Sequence, residues 1–261
     1  MRALSIAASG MQAQQMNVDV ISHNIANMNT TAYKRQRAEF QDMLYQNLER
    51  PGATSAASGA ILPTGIQLGV GVQADAVGRI TEQGGMAATM NPYDMAINGR
   101  GFFQVTLPSG QTAYTRAGNF AVNADGQLVT ADGYPIEPSI TVPQDATAMQ
   151  VTRDGIVEVT LAGQTDPQTI GQLEIAAFIN PAGLEAIGDN LYLETPASGT
   201  PNTATPGSPG LGTLMQGYLE LSNVNAVEEI SALIVAQRAY EMNARVITAA
   251  DEMMQSTTQL R

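Results

Sequence analysis

His23 is the sole histidine of the chain and there is no cysteine. The side chains best suited to metal ligation, nucleophilic attack and proton transfer near neutral pH are therefore almost absent. A zinc or haem site needs further ligands of the same kind, and His23 has none. A Ser-His-Asp set would need His23 in a cleft, yet it stands between the apolar stripes of a helical pattern, where packing or hydrogen bonding is its reading. Asn123-Ala124-Asp125-Gly126 has the look of a calcium-loop fragment. The later acidic ligands are missing, so it reads as a hairpin turn. Gly69-Val70-Gly71-Val72-Gln73-Ala74 matches a dinucleotide fingerprint only loosely, with no strand before it and no helix after it. Asn29-Thr30-Thr31 is formally a glycosylation sequon, but it reads better as a helix end whose side chains bond their own backbone. These patterns imply no enzyme, no cofactor and no metal.

Charge excludes further classes. The chain carries 24 acidic against 12 basic residues, a net charge of −12, so no basic patch is large enough for nucleic acid, and anionic membranes are disfavoured. Only 14% of its residues are charged although 44% are hydrophobic. Gln, Asn, Thr, Ser and Gly fill the difference, which implies a surface destined for other protein. No apolar run reaches the roughly 18 residues of a membrane span. Met1 to Gln15 lacks the unbroken apolar stretch of a secretory signal peptide, so export would take another route.

The elements follow from where glycine and proline fall. Residues 3–29 hold no proline and one glycine, Gly10, and residues 223–258 hold neither; all 13 prolines and the other glycines lie between. Each terminal span carries a heptad. Leu4, Met11, Val18 and Ile25 recur every seven residues, with Ala8, Gln15 and Ser22 in the companion position. Leu233, Tyr240, Ile247 and Met254 do the same at the other end, with Ile230, Gln237, Ala244 and Asp251 beside them. Second stripes add Ile21 and Met28 in the first span, Ile234 and Met253 in the second. Asp19 is the only formal charge in residues 3–29, so the first helix lacks the charged face of an exposed helix. The pattern predicts two long helices paired as a coiled coil and buried in an assembly; an antiparallel helix pair on the middle domain is the alternative.

The middle reads as antiparallel β structure. Phe102–Val105, Thr112–Arg116 and Leu173–Phe178 are strand-like, and hairpins are predicted around Asn123–Gly126 and Asp154-Gly155. Turn signals at this spacing favour a sheet or small barrel over βαβ units. Residues 46–65 and 196–213, rich in small residues, glycine and proline, read as loops. The fold class is α+β: long N- and C-terminal helices, an intermediate extended segment and a β-rich outer domain. The expected divisions are residues 1–31, 32–75, 76–220 and 221–261.

Ser22-His23-Asn24-Ile25-Ala26-Asn27-Met28-Asn29-Thr30-Thr31-Ala32-Tyr33-Lys34 resembles the N-terminal signature of flagellar rod and hook proteins. The resemblance continues through residues 91–103, through Tyr114-Thr115-Arg116-Ala117-Gly118-Asn119-Phe120, and through residues 217–225 and 236–243. Within this family the length and the stretch near 46–65 are those of the distal-rod branch; hook and proximal rod subunits are the alternatives inside it. A secreted β-domain binding protein is the alternative outside it, which a deep pocket with converging ionisable groups would support.

The resemblance implies a structural subunit that polymerises into a straight, rigid tube, transmits torque to the hook and carries the export channel. The inner helices, including Asn24 and Asn27 beside the seam residues above, would form the subunit interface. The insert, with Asn47, Pro51, Ala57, Ile61, Pro63 and Thr64, would stiffen the tube. Implied partners are further copies, proximal rod, hook and hook-junction proteins, the outer-membrane and peptidoglycan rings, and the flagellar export apparatus. The implied location is the basal body, spanning the periplasm, reached without a cleaved signal peptide. The terminal helices are expected to be largely disordered in the monomer and to fold at the growing end.

Overall fold

Helices form at the two ends, where glycine and proline are scarce. The computed structural model describes residues 2–49, 64–164 and 166–259. In it α1 spans Arg2–Ala26 and α2 spans Ala226–Gln259. After α1 a polar turn follows, in which Thr30 donates both its N–H and its hydroxyl to Asn27, each over 3.1 Å. α2 opens on Asn225, whose side-chain oxygen accepts the Val227 N–H at 3.1 Å. That satisfies one of the orphan donors of a helix start. Glu228 and Glu229 in its first turn complement the positive end of the helix dipole.

The chain forms two compact units. The first comprises the described parts of 1–26, 36–78 and 225–261; the second comprises 27–35 and the described parts of 79–224. In the first unit α1 and α2 pack against each other. Strand Gln36–Asp42 packs on α1 and pairs with strand Val72–Arg79. A β-carbon on Gly71 would stand 2.4 Å from the Ser9 hydroxyl, which also accepts the Val72 N–H at 3.3 Å, so only glycine lets this strand start meet the helix. Beyond it, Tyr45–Glu49 and Ile66–Gly69 form a two-stranded antiparallel ribbon with Gln46 opposite Leu68.

The second unit is built on antiparallel sheets. Its largest runs through Glu185–Gly188, Leu191–Leu193, Thr112–Thr115, Phe102–Thr106, Ile175–Ala177 and Asn202–Ala204, with Ile136–Glu137 also on Phe102–Thr106. A three-stranded sheet joins Ala146–Val151, Ile156–Leu161 and Gln168–Gln172. Two-stranded pairs link Met95–Asn98 to Thr213–Gln216 and Met86–Ala88 to Tyr218–Glu220. Inward residues of these strands, among them Met95, Phe103, Val105, Val157 and Ile175, form one apolar core together with Leu173 from the link before Ile175–Ala177. Gly118 is forced by this arrangement, because a β-carbon there would fall 1.5 Å from the Met95 carbonyl oxygen.

Both expected hairpins are present. Ala121–Val122 pairs with Leu128–Val129 across the Asn123–Gly126 turn, and Ala146–Val151 pairs with Ile156–Leu161 across Thr152–Gly155. Part of the 196–213 stretch is not loop: Asn202–Ala204 adds an edge strand to the large sheet. Its sequence has too few apolar residues to announce a strand, and the partner edge of Ile175–Ala177 decides it. The α+β class is thus the observed one.

Candidate assembly interface

The pairing of α1 and α2 is antiparallel. Gly10 meets Asn243 and Asn24 meets Glu229, so positions ascend in one helix as they descend in the other. Within one chain the buried residues of the pair are mostly small or polar, with Val20 and Ile21 the larger apolar ones. Ala7, Ile21 and Asn24 are buried on α1; Glu229, Ala236 and Ala250 are buried on α2. Glu229, Ala236, Asn243 and Ala250 are spaced at one heptad step, and small side chains there let two helix backbones approach closely.

The larger seam residues named from the sequence lie beside this line. Leu4, Met11, Val18 and Ile25 are half-buried, as are Leu233, Ala244, Ile247 and Met254. Ile230, Gln237 and Tyr240 are exposed. Val18, Gln237 and Tyr240 come together, with Gln15 and Glu241, around an open groove of about 550 Å³. A further apolar face of α2 stands in solvent: Val227 is 73% exposed, Val235 68%, Met242 61% and Met253 63%.

Asn24 anchors the α1 end of the pair. Its amide donates to the Gln36 carbonyl at 2.8 Å and to the Glu229 carboxylate at 3.1 Å, and its side-chain oxygen accepts the Gln36 N–H at 2.9 Å. One buried side chain thus ties α1, the first strand and α2, which only an amide carrying both donors and an acceptor can do. Asn27 begins the turn after α1. Of the insert residues, Asn47 lies exposed on the ribbon opposite Gln67, and Thr64 is exposed. Pro51, Ala57, Ile61 and Pro63 lie outside the described residues. The ribbon bears exposed apolar side chains, with Leu44 beside it 89% exposed.

The second unit holds a charge cluster that spacing alone did not reveal. Lys34, Arg116 and Glu220 are all buried. Lys34 Nζ donates to Glu220 Oε1 at 2.5 Å and to the Glu82 carbonyl at 2.8 Å. Arg116 Nε donates to Glu220 Oε2 at 2.8 Å, while its terminal nitrogens reach the carbonyls of Gly99, Gly101 and Ile97. The Gly84 N–H completes the carboxylate at 3.0 Å. Burial alone would raise the Glu220 pKa; Arg116, then Lys34 and the Gly84 amide outweigh it and hold the carboxyl below its usual range. Burial, helped by the nearby Arg116, lowers the pKa of the Lys34 ammonium in spite of Glu220, which raises it. The three residues come from three segments far apart in the chain. The clue in the sequence was chemical: Lys34 is the only lysine, held in a chain otherwise short of charge.

Next to this cluster the second unit has a cavity of about 220 Å³ lined by Lys34, Arg79, Arg100 and Arg116 together with Phe102, Phe178 and Tyr192. Among the described residues no group of His, Cys, Asp or Glu is placed to hold a metal.

A helix pair made from both ends of the chain, with an apolar face left exposed, and a second unit of antiparallel sheet are the features of a self-associating structural subunit. The comparisons agree with that class. Residues 4–34 match the family described as flagella basal body rod protein. Residues 96–159 match the flagellar hook protein FlgE/F/G D1 domain, and residues 215–260 the flagellar basal body rod FlgEFG protein C-terminal family. The flagellar basal-body rod protein FlgG of Caulobacter vibrioides is 60% identical, covering all of both chains. Its counterpart in Agrobacterium fabrum is 53% identical over 97% of each chain, and that of Buchnera aphidicola subsp. Schizaphis graminum 49% over 99% of each. The chain belongs to the flagellar basal-body rod protein family, within which it is most like the distal rod protein. It is a structural subunit of the flagellar rod, located in the basal body, and its relatives are rod proteins rather than enzymes.

Proposed function

We propose that copies of this chain polymerise through α1 and α2 into a straight tubular shaft, the distal rod, that transmits torque to the hook and encloses the export channel. Identical contacts repeated by an operator that does not close generate a helical tube. The observation that carries the reading is the apolar face of α2, where Val227, Val235, Met242 and Met253 stand exposed on a helix of 34 residues. Neighbouring copies would bury that face and fill the groove at Val18, Gln237 and Tyr240, with the half-buried heptads completing a coiled coil.

Apart from Val20 and Ile21, the buried residues of the two helices are small or polar, among them Ala7, Ala13, Asn24, Ala236 and Ala250, and these remove little apolar surface from water. At about 25 cal/mol per Å² such a seam gives the isolated pair little stability. Folding of the ends would then be completed on joining the tube, and the subunit would stay threadable for export without a cleaved signal. The ribbon and the insert beyond it, Asn47 to Thr64, would add contacts between copies and stiffen the shaft. The tube would cross the periplasm and meet proximal rod, hook and hook-junction proteins, the surrounding rings and the export apparatus.

Electron microscopy of the concentrated protein, paired with hydrogen exchange on the dilute monomer, tests this. Straight tubes are expected, with α1 and α2 protected only after assembly. A persistent monomer with protected, cooperative terminal helices would sink it. Deleting residues 47–64 should give curved filaments; straight ones would remove the stiffening role.

A further inference from the structure

Four of the chain's twelve basic residues line one cavity, and no acidic residue lines it. Glu220 already answers two of them, Lys34 and Arg116. The other two have no carboxylate: among the described residues, neither Arg79 nor Arg100 forms an ion pair. Arg79 lies 4.6 Å above the Tyr192 ring and donates one terminal nitrogen to the Leu184 carbonyl at 3.3 Å. Arg100 donates one terminal nitrogen to the Phe178 carbonyl at 3.3 Å. A guanidinium has five N–H donors in a fixed fork, so each arginine keeps donors for a further acceptor.

The rest of the lining includes an aromatic cluster against which the arginines stand. Phe102 meets Phe178 and Tyr192 edge-on at 5.9 and 6.0 Å, and Tyr114 meets Phe178 at 4.8 Å. Two cations with donors to spare, set against an apolar wall, select a carboxylate on a short apolar stem. Size narrows the choice: 220 Å³ is below the roughly 300–1,000 Å³ of a small-molecule site, and suits one or two side chains.

We propose that this cavity receives an Asp or Glu side chain from a second copy of the chain. Resting on the assembly reading above, it adds a specific contact in the β-rich unit to that of the helices. Every copy carries twice as many carboxylates as cations, 24 against 12, so acceptors abound and cationic sockets are scarce. A scarce socket on a repeating subunit sets register, because like-charge surfaces elsewhere disfavour other alignments.

The test uses the full chain and its Arg79→Gln/Arg100→Gln variant, which leaves Lys34, Arg116 and Glu220 untouched. Tube formation is followed by sedimentation, with circular dichroism melts to compare folding and sodium propionate as the probe, matched in ionic strength by sodium chloride. The critical concentration of the variant should rise about tenfold or more, as expected for a lost buried charge contact. Propionate should shift the Phe102, Phe178 and Tyr192 resonances of the wild-type monomer and slow its tube growth, a result that does not depend on the variant folding. An unchanged critical concentration in a folded variant refutes the contact while tubes show that the assembly reading stands. Propionate that shifts the rings without slowing growth makes this a free-anion site and refutes a neighbour's carboxylate. No ring shift refutes the socket, and no tubes from the wild-type chain removes both readings.

Discussion

Lys34 Nζ stands 2.5 Å from Glu220 Oε1, with both side chains buried, one just past the turn after α1 and the other in strand Tyr218–Glu220. The pair joins two segments 186 residues apart in sequence, and Arg116 makes it a triad. Removing the anion leaves two buried cations facing each other. Glu220→Gln should therefore cost roughly 3–5 kcal/mol in denaturant unfolding of the second unit.

The same carboxylate sets an acid limit. Its folded pKa lies below the ordinary 4.5, so its stabilising contribution is fully present above that value and is lost as pH falls through the lower, folded one. Thermal melts of the wild type should fall steeply in that acid range. In Glu220→Gln the melts should start lower and lack this component of the acid slope; an identical slope in both would show that other carboxylates govern acid unfolding.

Asn24 offers both a donor and an acceptor, and substitutions separate the two. Asn24→Ala leaves the Gln36 backbone and the Glu229 carboxylate short of a partner, at a cost of about 1–3 kcal/mol. The Gln36 amide, read by hydrogen exchange, should lose protection. Asn24→Asp keeps the acceptor but sets a second carboxylate against Glu229, so it should be less stable at neutral pH than Asn24→Ala and recover as pH falls.

Gly10 tests how closely the helices approach. A β-carbon there would lie 2.9 Å from Asn243 Nδ2, the movable end of a side chain. In Gly10→Ala a helix-propensity gain of up to about 1 kcal/mol offsets that contact, and stability should change little. Gly10→Leu cannot be absorbed and should destabilise the helix pair by about 1–3 kcal/mol, with loss of helical circular dichroism. Equal behaviour of the two variants would contradict a close crossing at this point.

Met242→Glu and Val235→Lys probe the exposed face of α2. Both side chains are mostly exposed, so unfolding of the monomer should shift by no more than about 0.5 kcal/mol. Tube formation, scored by electron microscopy, should stop. Normal tubes from both variants would move the interface to another face.

The helices were legible because glycine and proline are confined to the middle, and the hairpins because Asp-Gly marks their turns. The line along which α1 and α2 meet was less legible. Periodicity draws attention to the largest apolar residues, Leu4, Met11, Leu233 and Tyr240, whereas a close crossing needs small ones such as Ala7, Gly10, Ala236 and Ala250. Strand Asn202–Ala204 was hidden for the opposite reason: its own residues carry little strand preference, and a distant edge supplies it. The Lys34–Glu220–Arg116 triad joins residues far apart in the chain, and a linear pattern holds no record of such a pairing. The cavity beside it is of the kind that would favour a binding protein, but its size and the family of the chain turn that feature toward assembly.

α1 finds its helical partner only in residues that come about two hundred positions later. Whether the chain emerges from a ribosome or from a narrow conduit, its first helix waits, unmatched, for the last to arrive. The β-rich unit closes some pairings early, such as the hairpin of Ala146–Val151 with Ile156–Leu161, but its pairing of Met86–Ala88 with Tyr218–Glu220 also waits for nearly the whole chain. Contacts between distant segments form slowly because loop closure must precede them. Losing the end of α2 would therefore strip partners from α1, a segment about two hundred residues away in sequence but adjacent in the fold.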